Sequence, residues 1–249
     1  MLDYLVLIPA AFLAGILNTI AGGGTFLTFP ALVFAGIPPV AANATSTVSV
    51  FPGYIGGALG FRRELETFER PALIKIVVLT LIGGLIGSLL LLVSSNEAFS
   101  IIVPFLLLAA TMAFAFGERI QLWARQSRFG IRPQGPVGQV LVSIYGGYFN
   151  GGLGIVLLAL FSLWGMRDLN VMNGLKNGLS LVLSAISVVT FVAAGIVAWP
   201  QALVMMAAAI VGGYAGAPLA RALPKQVVRG IVIAVGAVMS LIFFGRLFA

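Results

Sequence analysis

The 249-residue chain has no cysteine and no histidine, and only 8% of its residues are charged. Without cysteine there is no disulfide, iron–sulfur or thiol chemistry. Without histidine the commonest metal ligand and general base is missing too. The strict apolar/polar alternation of an outer-membrane barrel is absent. A cleavable leader is not expected, because the N-terminus carries Asp3 and no basic residue, and its apolar stretch runs far beyond a leader's length.

What fills the chain instead is apolar sequence. Sixty per cent of the residues are hydrophobic, and the mean hydropathy is +1.12. Tyr4 to Phe61 carries no charge over 58 residues, and Asn177 to Ala220 none over 44. Ile76–Asn96, Ala98–Gly117 and Pro133–Met166 are also charge-free, each long enough for a bilayer crossing of about 20 residues. The composition predicts an all-α polytopic membrane protein.

Hydropathy and breakers place spans at 38–60, 72–93, 97–117, 170–195, 200–220 and 227–247. Two stretches, 4–36 and 137–164, are too long for one span, and glycines interrupt each: "AGGG" at 21–24 and "GGLG" at 151–154. Their downstream arms, of about 12 residues, rise roughly 18 Å, short of a hydrocarbon core of about 30 Å. Re-entrant hairpins or bent pairs of half-helices are expected, with the second arms starting near Thr25 and Ile155.

The net charge of +7 could mark an anionic partner, but its distribution follows topology. Arg62, Arg63, Arg70, Arg119, Arg125, Arg128, Arg132, Arg167, Arg221 and Lys225 fall in loops on one side, with Lys75 and Arg229 just inside the adjoining helices. The other side has Arg246 alone. The positive-inside rule then puts the 118–136 loop in the cytoplasm and both termini outside, in the periplasm. No nucleic-acid partner is implied. Lys176, about seven residues into a span, is the one charge left in the membrane.

The two broken stretches open similar halves. "AGILNTIAGGG" resembles "GGYFNGGLG", matching Gly15 with Gly147 and Asn18 with Asn150. "AGIPPVAANATST" resembles "WGMRDLNVMNGLKN", matching Gly36 with Gly165 and Asn43 with Asn173, and setting Ser46 opposite Lys176. A hairpin plus three spans crosses the membrane an odd number of times, so the second half is expected to be inverted. The organisation expected is a first repeat over 1–117, a basic loop over 118–136 and a second repeat over 137–249.

Irregular backbone at membrane depth lines a cavity or is buried in protein. The first amides of the two second arms, around Gly23, Gly24, Thr25, Gly152 and Gly154, have no intrahelical acceptor and carry the positive helix end. Two such ends make an anion site. The bland alternative is that the glycines only permit close helix packing. A lone lysine in a membrane helix costs at least about 2.5–3.5 kcal/mol and usually marks a substrate path, unless it snorkels to the headgroups. No intramembrane carboxylate is available to Lys176, which makes an exogenous anion its expected partner. Asn18, Asn43, Asn150, Asn173, Asn177, Thr45, Ser46 and Thr47 add neutral donors, or else serve as interhelical hydrogen bonds.

No catalytic residue, metal ligand or cofactor is expected. A hydrolase would need a nucleophile with a His or carboxylate base, and the spans contain neither base. "AGGGT" lacks the GK[ST] ending of a phosphate-binding loop.

"NTIAGGGTFLTFPAL" followed by "GIPPVAANATST", and "YGGYFNGGLGIVLLAL" followed by "RDLNVMNGLKN", resemble the two signature regions of the sulfite exporter TauE/SafE family. The resemblance implies an inner-membrane permease exporting sulfite, sulfoacetate or a related sulfonate. By position it carries over the hairpins (Asn18 with Gly22 to Gly24, and Asn150 to Gly154) and the polar segments Asn43–Thr47 and Asn173–Asn177. "ANATST" departs from the family's usual glycine–threonine pattern. The expected partners are a small anion and the lipid bilayer, with room for a homodimer. Another anion such as a carboxylate, a channel-like pore, or a non-transporting scaffold are the alternatives.

Overall fold

The computed structural model describes residues 2–20, 23–60, 68–126, 135–222 and 225–248. Among them the chain forms ten helices and no strand: α1 (Leu2–Ile20), α2 (Thr25–Phe34), α3 (Pro39–Gly60), α4 (Arg70–Val93), α5 (Asn96–Gln126), α6 (Pro136–Tyr148), α7 (Leu153–Leu163), α8 (Leu169–Ala193), α9 (Trp199–Ala222) and α10 (Lys225–Phe248). Arg62, Arg63, Arg128, Arg132 and Gly22 lie outside the described residues.

The six stretches expected as spans are covered by the helices α3, α4, α5, α8, α9 and α10. α5 differs most, continuing to Gln126 where its span was expected to end at 117. Its 31 residues rise roughly 46 Å, longer than a hydrocarbon core of about 30 Å. Both long stretches are broken pairs of helices. α2 and α7, of 10 and 11 residues, rise only about 15–17 Å. The first arm-to-arm junction falls where the glycines predict it, with α2 starting at Thr25. The second is displaced from 151–154. α6 ends at Tyr148, and Leu153 rather than Ile155 begins α7, so Gly154 lies inside its first turn. The reason is local: Asn150 at φ +60 and Gly152 at φ +70 leave the right-handed region, and only glycine and short polar residues do so readily.

α4 shows why the helices pack as they do. Its buried side carries Gly83, Gly84, Gly87, Thr80 and Ser88, while Ile74, Val78, Leu81, Ile82, Leu85, Leu89 and Val93 are exposed. Small residues inside and large apolar residues outside is the pattern of a helix facing lipid, where close backbone approach replaces the hydrophobic effect. A Cβ on Gly83 would stand 2.7 Å from the Val140 carbonyl oxygen, and one on Gly147 would strike the Gly84 backbone. α1 crosses α9 in the same manner, through Gly15 against Ala209 and Gly213, and Gly212 against Phe12. α4 and α8 are each long and apolar enough to cross a membrane.

α3 packs on α8, and α5 on α10. α9 lies against α1 and α3, and α4 against α6 and α8. An aromatic cluster joins the halves at the centre. The Phe29 ring of α2 meets Phe99 of α5 and Phe149 of the second break edge-on, at 6.0 and 5.8 Å, and stacks on Phe243 of α10 at 5.7 Å. Such ring pairs contribute about 0.5–1.5 kcal/mol each beyond their buried area. Leu153, Leu157 and Phe161 of α7 pack with Leu175, Leu179 and Leu183 of α8 and Ile76 of α4 in a second cluster.

Candidate functional site at the helix breaks

The first break is closed by its own neighbours. Asn18 on α1 reaches forward, and its Oδ1 accepts the Gly24 amide proton at 2.8 Å, acting as a cap for α2. Thr28 Oγ1 donates to the Gly24 carbonyl at 3.2 Å and lies 2.6 Å from Ser46 Oγ. With the Thr28 proton committed to a carbonyl, Ser46 must be the donor in that pair. The chain Ser46→Thr28→Gly24 thus ties α3 to α2 and directs the Ser46 proton inward. Among the described residues the Thr25 amide makes no hydrogen bond.

The rest of the first polar segment is also engaged. Thr47 donates to the Asn43 carbonyl at 3.0 Å. Thr45 Oγ1 accepts the Ala198 amide at 3.0 Å, just before α9 begins. Asn43 Nδ2 donates to the Tyr148 carbonyl at 2.9 Å, which brings α3 onto the end of α6. Gly23 and Gly24 are buried.

The second break is shaped differently. The Tyr145 hydroxyl donates to the Gly151 carbonyl, and the Gly151 amide donates to the Phe149 carbonyl at 2.8 Å. These bonds hold a loop in which Asn150, only 3% exposed, has neither of its amide atoms in a hydrogen bond. The Tyr54 hydroxyl of α3 lies close to the Asn150 side chain, outside hydrogen-bond geometry. Among the described residues the amides of Gly152 and Gly154 make no hydrogen bond either. Gly152 packs on Ala110, midway along α5.

On α8, Asp168 caps the helix through the amides of Asn170 and Val171, at 2.8 and 3.2 Å. Lys176 is half-buried two turns further on, with Asn173 and Asn177 half-buried beside it. Among the described residues none of the three makes a hydrogen bond or ion pair. Ser180, Ser184 and Ser187, which sequence reasoning missed, are buried on the same helix. Their spacing of 4, 8 and 11 residues from Lys176 puts them on its face of the helix, and that spacing was the available signal. The Ser184 and Ser187 hydroxyls have no partner, whereas other buried serines, such as Ser88 and Ser240, donate to the carbonyl four residues back. Leu153 of α7 and Leu183 of α8 both close on Gly146, so Ser184 stands at the level of the second break. Lys176 is about 12 Å along the axis from Ser184 at 1.5 Å per residue.

Apart from the Thr25 amide, the unspent hydrogen-bond donors noted among the described residues lie in the second half: the Gly152 and Gly154 amides, Asn150 Nδ2, the α8 serines and Lys176. A profile of the family described as "Sulfite exporter TauE/SafE" matches residues 7–243. The chain belongs to the sulfite exporter TauE/SafE family. This is a family of membrane transporters, and the relatives match along nearly their whole length. A "Probable membrane transporter protein" of Haemophilus influenzae is 28% identical, covering 94% of this chain and 92% of its own. The "Probable membrane transporter protein YfcA" of Escherichia coli K12 is also 28% identical, over 94% of this chain and 87% of its own. "Probable membrane transporter protein ORF9" of a Sinorhizobium species is 25% identical over 94% and 90%. No solved structure matches. Membership of the TauE/SafE family agrees with the resemblance carried by the paired motifs, and it makes the chain a transporter.

Proposed function

We propose that the chain exports a small sulfur-containing oxyanion, such as sulfite, sulfoacetate or a related sulfonate, across the bacterial inner membrane by alternating access. One observation carries this reading: Lys176 is the only charge of a half-buried helix face, it has no ion-pair partner among the described residues, and the unspent donors lie along its side. Lys176 meets the charge of the anion. Asn173 and Asn177 hold its oxygens, and Ser180, Ser184 and Ser187 lead it to the amides of Gly152 and Gly154. A site with donors and one cation, and no nucleophile–base pair, suits passage of an anion rather than its chemical conversion.

Alternating access rests on two inverted halves, α1–α5 and α6–α10. The packing supports this division, because advancing every helix by five returns most of the same neighbours. α1 with α9 becomes α6 with α4; α3 with α9 becomes α8 with α4; α3 with α8 and α5 with α10 map onto themselves. The matched glycines agree. Gly36 and Gly165 each end the short second arm at φ +83, with the same three hydrogen bonds from the residues around them. In this arrangement the exposed Arg70, Lys75, Arg119 and Arg167 face the cytoplasm and both termini the periplasm. Reporter fusions at either end check that orientation, and a cytoplasmic signal overturns it.

The function is tested in reconstituted vesicles loaded in turn with sulfite, sulfoacetate, taurine, sulfate and acetate. Sulfur oxyanions are expected to exchange and Lys176→Met to abolish their flux. Exchange of acetate alone shifts the assignment to a small carboxylate. No flux of any anion points to a scaffold, and undiminished flux in Lys176→Met removes the lysine from the mechanism.

A further inference from the structure

The loop after α6 has an oxygen-rich side that the anion reading leaves unused. The Asn43 amide is oriented unambiguously, because Nδ2 donates to the Tyr148 carbonyl and a carbonyl can only accept. Its free atom is therefore Oδ1, an acceptor, buried at 1% exposure and unpartnered. An oxyanion cannot satisfy it. Two residues beyond Tyr148, Asn150 presents a second unpartnered buried Oδ1, from a backbone held at φ +60. The last turn of α6 adds its own oxygens. Phe149 donates to the Tyr145 carbonyl, but among the described residues the Gly146 and Gly147 carbonyls receive no hydrogen bond. A helix C-terminus also carries the negative end of the dipole. Unwound backbone and half-helix C-terminal ends are where membrane transporters coordinate monovalent cations.

We propose that a sodium ion binds at this junction, held by Asn43 Oδ1, Asn150 Oδ1 and the terminal carbonyls of α6. All these oxygens are neutral, and none of the proposed ligands is a carboxylate. That favours a monovalent ion over calcium, whose sites draw on carboxylates. The ion joins α3 of the first half to the break of the second, so it favours the conformation in which the two meet. Its binding does not depend on which anion is carried.

The test is thermal unfolding of the detergent-purified protein in NaCl, KCl and choline chloride at equal ionic strength, so that chloride is constant. Sodium is expected to raise Tm saturably above choline, as any ligand of the native state does, and potassium to raise it less. Asn150→Gly keeps the left-handed backbone without strain and removes the amide oxygen; it is expected to fold and to lose the sodium-specific rise. Asn43→Leu is expected to lose it as well. Equal Tm in sodium and choline overturns the proposal, and so does an unchanged sodium response in Asn150→Gly. A sodium response with no anion flux leaves this site standing and removes the transport reading instead.

Discussion

The two helix breaks come from similar stretches of sequence but settle their polar groups in opposite ways. After α1, Asn18 sits within the helix and caps Gly24, while Ser46 of α3 donates to Thr28 of α2, which in turn donates to the Gly24 carbonyl. After α6, Asn150 occupies the turn itself at φ +60, and among the described residues its side-chain amide has no hydrogen-bond partner. The same asymmetry runs through the polar segments. Asn43, Ser46 and Thr47 donate inside the protein, whereas among the described residues Asn173, Lys176 and Asn177 do not. Similar sequence does not fix similar bonding: the first polar segment is tied into the protein, and the second keeps its side-chain donors unused among the described residues.

The largest effect that would break this comparison comes from exchanging the opposed residues. Ser46→Lys puts a charge at a fully buried position and removes the proton that Thr28 receives; an uncompensated buried charge costs about 3–5 kcal/mol. Loss of folded protein on size-exclusion chromatography is expected, while Lys176→Ser is expected to remain folded. A Ser46→Lys protein as stable as the parent would mean that the two segments are interchangeable.

Next come the helix crossings, where the halves are expected to behave alike. Gly15→Ala and Gly147→Ala each push a methyl into the backbone of α9 or α4, and overpacking of this kind costs about 1–3 kcal/mol. Similar falls in Tm are expected for both. A smaller matched pair is Gly36→Ala and Gly165→Ala. Both positions are at φ +83 with open space around them, so only the left-handed backbone is penalised, by about 1–2 kcal/mol.

The smallest effects separate the breaks most sharply. Asn18→Ala removes a helix cap, worth about 1 kcal/mol, and lowers Tm. Asn150→Gly removes no hydrogen bond, and glycine is at ease at φ +60. In choline chloride its Tm is expected to equal the parent's or exceed it slightly. Equal destabilisation by both variants would erase the distinction between a closed break and an open one.

The helical class, the six longer helices and the two interruptions were legible because they depend on local quantities. Long charge-free runs demand helices in lipid, and glycines in a run of that kind mark a bend. Gly15 and Gly147 could be paired from sequence, and both sit at helix crossings. The pairing of Asn18 with Asn150 could be read too, but not the two conformations they adopt. The displacement of the second break from 151–154 to the turn before Leu153 was not read from the sequence: it goes with the left-handed backbone at Asn150 and Gly152, in a loop that Tyr145 also holds through the Gly151 carbonyl. Ser184 and Ser187 carried a periodic signal that the asparagines and the lysine overshadowed.

By itself, then, the order of residues determined where helices form, where they are interrupted, and that the stretch 170–195 around Lys176 contains no carboxylate. Those outcomes follow from backbone bonding and from the cost of charge in lipid, both of which act over a turn or two. Which polar atoms remain free was decided only by the tertiary structure. Asn43 and Asn173 are the same residue type in similar segments, yet the carbonyl of Tyr148 lies beside Asn43, and among the described residues no such acceptor meets Asn173. A hydrogen bond needs its partner within about 3 Å, and only the folding of α6 against α3 brings residues 105 positions apart to that distance.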